Sequence, residues 1–133
     1  MSKSFIIMKE FNVVKALIKF NDNYLIIKKL DFIGGEFEIP GGRKNLSEND
    51  GDALKREVKE EVGLNINIIN LVHEWDLTIN EKELHLLGKT YLCESKSDKV
   101  QLSEEHSEFQ WVSLKKLKEK NIPKWLRESL NCL

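Results

Sequence analysis

Residues 41–64 read GGRKNLSENDGDALKREVKEEVGL, and three glutamates, Glu57, Glu60 and Glu61, crowd the second half of the stretch. Pro40 precedes the glycine pair Gly41–Gly42 and biases Ile39 toward an extended shape. A polar loop follows. Ser47 or Asn49 can cap a helix, and Asp50 and Asp52 suit its first turn, where carboxylates complement the positive end of the helix dipole. The helix is expected to run to Val62, with Gly63 in a left-handed C-cap. On a wheel of about 100° per residue with Glu57 at zero, Glu60 falls near about −60° and Glu61 near about +40°. Leu54, Val58 and Val62 lie at about +60° to +140° and Arg56 near about −100°. The carboxylates therefore flank the apolar stripe, at the rim of a core, facing a groove beside the sheet.

Like charges at these spacings repel by about 0.2–0.5 kcal/mol per pair. Three of them at the rim of a core want a counter-ion. Mg²⁺ is the natural one and Mn²⁺ can substitute, because both are hard, carboxylate-seeking and able to bridge phosphate oxygens. Zinc would call for cysteine or histidine, and none is near. A carbonyl of the glycine turn could add an oxygen ligand. The competing reading is a solvated charged face, neutralised by Lys55, Arg56 and Lys59. The wheel alone leaves both standing.

Working outward, Phe5–Met8 is an apolar run that could start a strand. Val13–Phe20 and Tyr24–Lys29 read as a hairpin turned by Asn21-Asp22-Asn23. Leu30–Gly35 reads as a loop or weak strand. Phe37 and Ile39 alternate with Glu36 and Glu38, as a short half-buried strand would. Beyond the helix, Leu64–Leu77 reads as one or two strands broken near Asn70. Leu84–Glu94 reads as a long strand with Gly88 a possible bulge, and Phe109–Val112 as a short strand. Ser113 can cap a helix over Leu114–Lys120, and Pro123 suits the first turn of a last helix carrying Trp125, Leu126 and Leu130. These elements give an α/β fold, a mixed sheet with a helix on each face.

At 133 residues the chain is expected to form one domain over 1–133, with a core that needs no staples. A formal net charge of −1 argues against a nucleic-acid polymer as partner, which wants a basic field. A small nucleotide held through a local metal site stays possible. No run approaches the ~20 apolar residues of a membrane span, and the N-terminus does not read as a signal peptide, so a cytoplasmic location is expected. Cys93 and Cys132 read as free thiols of a reducing compartment. Nothing distinguishes a monomer from a homodimer.

The stretch also resembles the signature of the Nudix hydrolases: Gly, five residues, Glu, seven residues, Arg-Glu, an aliphatic, any residue, Glu-Glu, any residue, Gly and an aliphatic. Gly42, Glu48, Arg56, Glu57, Val58, Glu60, Glu61, Gly63 and Leu64 fill every fixed position. Phe37-Glu38-Ile39-Pro40-Gly41 is similar to the lead-in of many members, and Glu104–Val112 (EEHSEFQWV) to the later acidic loop and aromatic strand.

The resemblance implies an α/β/α sandwich around a mixed sheet, and attack by water on a nucleoside diphosphate linked to a moiety X, assisted by divalent ions. It implies that Glu57, Glu60 and Glu61 bind metal, with the carbonyl of Gly41 as a further ligand. Glu57 could instead orient or deprotonate the water. Arg56 is expected to pair with Glu48 and brace the loop. A late-loop glutamate, Glu105 in preference to Glu104, is expected as ligand or base. For the substrate itself, Phe37 is the best-placed aromatic, beside Phe32, Trp75 and Tyr24, each of which can equally be core. Lys28, Lys29 and Arg43 could reach phosphates, and His106 could touch the substrate. The preferred substrate is a nucleoside or deoxynucleoside triphosphate, giving the monophosphate and pyrophosphate. ADP-ribose, a dinucleoside polyphosphate, or a binding module without turnover are the alternatives.

Overall fold

The sheet is built around one strand whose middle is buried on both faces. β1 (Lys9–Phe20) places Val13 to Ile18 out of solvent, which is why its sequence does not alternate cleanly. The protein is described from a computed structural model over residues 8–29 and 36–133. The possible strand start at Phe5 and the Leu30–Gly35 segment with Phe32 lie outside the described residues, apart from Met8 at the edge of the first.

On one side β1 pairs in parallel with β5 (Leu84–Ser95), from Lys9↔Leu84 to Lys19↔Glu94. β4 (Ile66–Ile79) covers the outer edge of β5, antiparallel. On the other side β1 turns at Asn21, whose φ is +52°, into β2 (Asn23–Lys29). The two strands pair only at Lys19↔Tyr24 and Phe20↔Asn23 and then part. β3 (Gly41–Arg43) fills the gap along β1, with Gly41 opposite Lys15 and Gly42 opposite Val14. β6 (His106–Ser113) pairs antiparallel with β2 at the far edge. The order is β4-β5-β1-β2-β6, with β3 beside β1, in a six-stranded mixed sheet.

The glycine pair, expected as a turn, is thus a strand. The expected Phe37–Ile39 strand reduces to one bridge between Glu38 and Ile27, closed by hydrogen bonds of 2.8 and 2.9 Å. Pro40 explains the change. It lacks an N–H, but its carbonyl accepts from Ala16 N at 2.8 Å, and the segment crosses from β2 to β1 there.

Two other expectations are corrected. β4 is continuous through Asn70, with register shifts at Ile68/Asn70 and Leu71/His73 in place of a break. Gly88 is not bulged: it lies opposite Trp75, whose indole occupies the space a Cβ would need.

Side-chain alternation makes two cores, one per face. Val14, Ala16, Ile18, Leu25 and Ile27 meet Leu54, Val58 and Val62 of α1 (Asp50–Val62) on the first. On the second, Leu17, Ile26, Phe37, Ile39 and Val112 meet Leu117 of α2 (Leu114–Glu119) and Trp125, Leu126 and Leu130 of α3 (Lys124–Asn131). Trp125 and Leu130 are core residues. Ser113 caps α2 by accepting from Lys116 N at 3.3 Å. The architecture is an α/β/α sandwich. Among the described residues no helix is long and apolar enough to cross a membrane.

Candidate active site

α1 is fixed at both ends before any glutamate is considered. Asn49 is the N-cap and accepts from Asp52 N at 2.8 Å, while Gly63 closes the helix at φ +72°. Asp50 reaches across to the sheet: it accepts from Tyr91 Oη at 2.6 Å and from Lys89 Nζ at 3.2 Å, and pairs with Lys44 Nζ at 3.0 Å. These donors, Tyr91 first, hold the Asp50 carboxyl down at about 2 against the cost of burial.

The three glutamates differ in exposure as their order around the helix dictates. Glu61, nearest the apolar stripe, and Glu57 are half-buried, whereas Glu60 is exposed. Glu61 Oε2 accepts the Gly41 N–H at 2.7 Å. Burial pushes the Glu61 carboxyl up to about 7, opposed by Lys15 and the Gly41 N–H and reinforced by the charges of Glu57 and Glu38. Glu57 lies over Gly42, so closely that a Cβ there would come 2.5 Å from its Oε2. Glu60, farthest round, keeps 60% of its side chain exposed and meets Arg56 Nη1 at 3.5 Å. Glu57 and Glu61 therefore converge on one strand of two glycines, and Glu60 stands outside them. Gly41 adopts φ +147° with Val14 and Lys15 pressed against it, so neither glycine has room for a side chain.

Arg56 is a brace. Its Nε and Nη2 fork onto Glu48 at 2.7 and 2.8 Å, its Nη1 holds Glu57 Oε1 at 3.0 Å, and Nη2 also donates to the Arg43 carbonyl at 3.2 Å. Glu48 accepts from Asn45 N as well, at 3.0 Å. The Arg56 guanidinium, followed by that backbone bond, holds the Glu48 carboxyl at about 2.

Among the described residues no three acidic, histidine or cysteine side chains are already gathered tightly enough to enclose an ion. The donor chemistry nonetheless fits a hard divalent cation. Two carboxylates meet at a buried rim, and burial penalises the charge of Glu61, which a cation would offset.

The late loop hangs from the end of α1, through Gln101 N to Val62 O and Ser103 N to Glu61 O, both at 2.9 Å. Glu104 and Glu105 form the exposed turn that follows. His106, expected in the loop, is the first residue of β6 and is buried.

Phe37, Lys28 and Arg43 are not brought to the glutamates. Phe37 is buried in the second core, with the ammonium groups of Lys28 and Lys120 at 4.6 and 5.3 Å from its ring. Lys28 pairs with Glu108 at 3.2 Å. Arg43 lies on Phe11 at 3.9 Å, beside a hollow of about 370 Å³ that includes Lys9 and Lys82. The reason is the two-residue period: Gly42 and Ile27 face α1, so Arg43 and Lys28, one position on, face away. Tyr24 and Trp75 also belong to the second core, Trp75 stacked on Trp125 at 4.5 Å. Glu38 and Lys29 occupy the α1 face instead, 4.0 Å apart, and Lys15 Nζ reaches Glu38 at 3.5 Å. The pattern Phe37-Glu38-Ile39 held the signal for Glu38, since a carboxylate between two buried residues must face the other way.

The fold is a mixed sheet split by a glycine strand, with an acidic helix closing over the split. The NUDIX domain profile matches residues 10–131, and the chain belongs to the Nudix family. It is similar to the nucleoside triphosphatase NudI of Escherichia fergusonii, 25% identical over 93% of this chain and 96% of that protein. Among solved structures, a MutT protein from Methanosarcina mazei Go1 superposes with a TM-score of 0.81 at 25% identity, covering 93% of this chain and 92% of the other. A MutT Nudix hydrolase from Burkholderia pseudomallei gives 0.80 at 21%, over 94% and 98%, which shows the shared fold.

Proposed function

We propose that this protein is a divalent-cation-dependent pyrophosphohydrolase of nucleoside or deoxynucleoside triphosphates, releasing the monophosphate and pyrophosphate. The observation that carries the reading is the meeting of Glu57 and Glu61 at Gly41–Gly42. The likeness to NudI proteins, named nucleoside triphosphatases, supports the substrate class.

Glu57 and Glu61 would hold Mg²⁺ or Mn²⁺, with Glu60 and the Gly41 carbonyl able to join. Such a cation neutralises phosphate oxygens and lowers the pKa of bound water. The chain supplies the rest. Arg56, locked by Glu48, keeps Glu57 aimed at the glycine strand. Gly41 orients Glu61 through its N–H. We assign Glu105, exposed on the turn beside α1, to take the proton of the attacking water. A bond forms from water oxygen to phosphorus as the anhydride bond breaks, and the leaving group, pyrophosphate or the monophosphate according to which phosphorus is attacked, departs with its electron pair.

A panel of ribo- and deoxynucleoside triphosphates, ADP-ribose and diadenosine polyphosphates, with Mg²⁺ or Mn²⁺ and products identified by mass, tests this. Monophosphate and pyrophosphate from a triphosphate is the expected result. Preferential cleavage of ADP-ribose or a dinucleotide would move the substrate class. Tight nucleotide binding without turnover would make the protein a binding module.

A further inference from the structure

Among the described residues, Nε2 of His106 is a buried side-chain nitrogen with no hydrogen-bond partner. The residue is 5% exposed, and its other ring nitrogen, Nδ1, lies 3.1 Å from Ser103 Oγ. Buried polar atoms are nearly always paired, and an exception calls for a specific explanation, such as strain, a catalytic role, or a water or ion.

The register shows where this nitrogen is presented. β2 and β6 pair regularly from Asn23↔Ser113 to Lys28↔Glu108, then shift, so that Lys29 lies opposite His106 and Ser107 is skipped. Val112 belongs to the core under α2 and α3, and strand alternation would put Gln110, Glu108 and His106 on that same face. The irregularity moves His106 across. Paired with Lys29, it faces the same way as Ile27, toward α1. Bulges that re-aim one side chain are over-represented beside active sites.

The surroundings agree with that placement. Ser103, which holds Nδ1, is itself hung from the carbonyl of Glu61. The charges acting on the ring are those of Glu38, Lys29, Glu105 and Lys15, of which Glu38 meets Lys15 at 3.5 Å and Lys29 at 4.0 Å. Where Ser103 Oγ donates to Nδ1 the ring proton lies on Nε2, and that is the tautomer we take. An Nε2–H donor suits an anionic oxygen, and the charges around it balance, Glu38 and Glu105 against Lys15 and Lys29.

We propose that His106 is a substrate-binding residue whose Nε2–H donates to a phosphate oxygen of the nucleotide held at Glu57 and Glu61. The β6 bulge turns it toward the α1 face, and Ser103 holds Nδ1. This rests on the nucleotide hydrolysis proposed above.

Two amide substitutions separate the ring nitrogens. In His106→Asn the amide can take the place of Nδ1 and keep Ser103, but nothing replaces Nε2. In His106→Gln the amide nitrogen reaches the place of Nε2 and Ser103 loses its partner. Expected is a rise in KM of about tenfold or more for H106N, with its melting temperature near that of wild type, and a KM within about threefold of wild type for H106Q. A second readout is the ¹⁵N resonance of Nε2 in the wild-type protein, which should move on titration with AMP, GMP, CMP or UMP in the presence of Mg²⁺. Wild-type kinetics in H106N, or an Nε2 resonance indifferent to all four, would overturn the proposal and leave an internal water or simple packing as the role of the ring. A wild-type protein that hydrolyses no nucleotide would overturn the proposed function itself, an outcome separate from unchanged H106N kinetics.

Discussion

Glu57 and Gly42 occupy each other's space: the carboxylate of the helix residue lies where the strand residue would carry its side chain, with Oε1 and Oε2 at 2.9 and 2.5 Å from that position. Gly42 is therefore a seat for the Glu57 carboxylate as well as a strand residue. Gly42→Ala should push Glu57 off its position while β3 still pairs with β1. Turnover is expected to fall by about a hundredfold, the scale of a misplaced electrostatic group. Steady-state kinetics beside a melting curve would show it; a variant that turns over normally would mean Glu57 does not act from this seat.

The fork between Arg56 and Glu48 predicts a loss of rate without a loss of fold. Glu48→Gln removes the charge that holds the guanidinium, and Arg56→Lys keeps charge but loses the fork. Both should lower kcat by about tenfold to a hundredfold while KM and melting temperature change little, because the brace acts through the aim of Glu57. A change confined to KM would instead put Arg56 on the substrate.

Asp50 predicts part of the acid sensitivity. Its folded-state pKa is lowered from 3.8 to about 2, so the folded protein holds the carboxylate more firmly than the unfolded chain does. Its contribution is complete above about pH 4 and is lost as pH falls through 2. Asp50→Asn should cost about 1–2 kcal/mol at neutral pH and flatten the fall in stability between about pH 4 and 2. Chemical denaturation of both proteins at several pH values measures it.

Trp75 covers Gly88 and stacks on Trp125 in the core under α3, and its Nε1 donates to Thr90 Oγ1 at 3.0 Å. Gly88→Ala should destabilise the protein by about 1–3 kcal/mol, because the indole must leave a packed position. The kinetic constants of the folded fraction should not change, since this face lies away from the glutamates. Denaturant titration and kinetics on the same preparation give both numbers.

The sequence was most legible where local chemistry decides. The caps Asn49 and Gly63, the hairpin at Asn21 and the apolar stripe of α1 are set by neighbours a few residues apart, and each is where its residue types place it. The wheel also placed all three glutamates at the rim of the core, where Glu57 and Glu61 are half-buried and Glu60 is exposed. What it could not show was pairing across the chain. That Gly41–Gly42 form a strand depends on β1 and β2 parting, which no local pattern records. Facing is equally non-local: Lys28 and Arg43 are one position out of phase with Ile27 and Gly42 and so point away from α1. His106 shows the same limit, since one skipped residue in β6 decides its face.

The central claim is that Glu57 and Glu61 together hold the divalent cation over the glycine strand. The most direct measurement is Mn²⁺ binding by electron paramagnetic resonance for wild type, Glu57→Gln, Glu61→Gln and Glu60→Gln. The account predicts that Glu57→Gln and Glu61→Gln each weaken binding by about tenfold or more, and that Glu60→Gln weakens it less. Wild-type Mn²⁺ affinity in either Glu57→Gln or Glu61→Gln would contradict it.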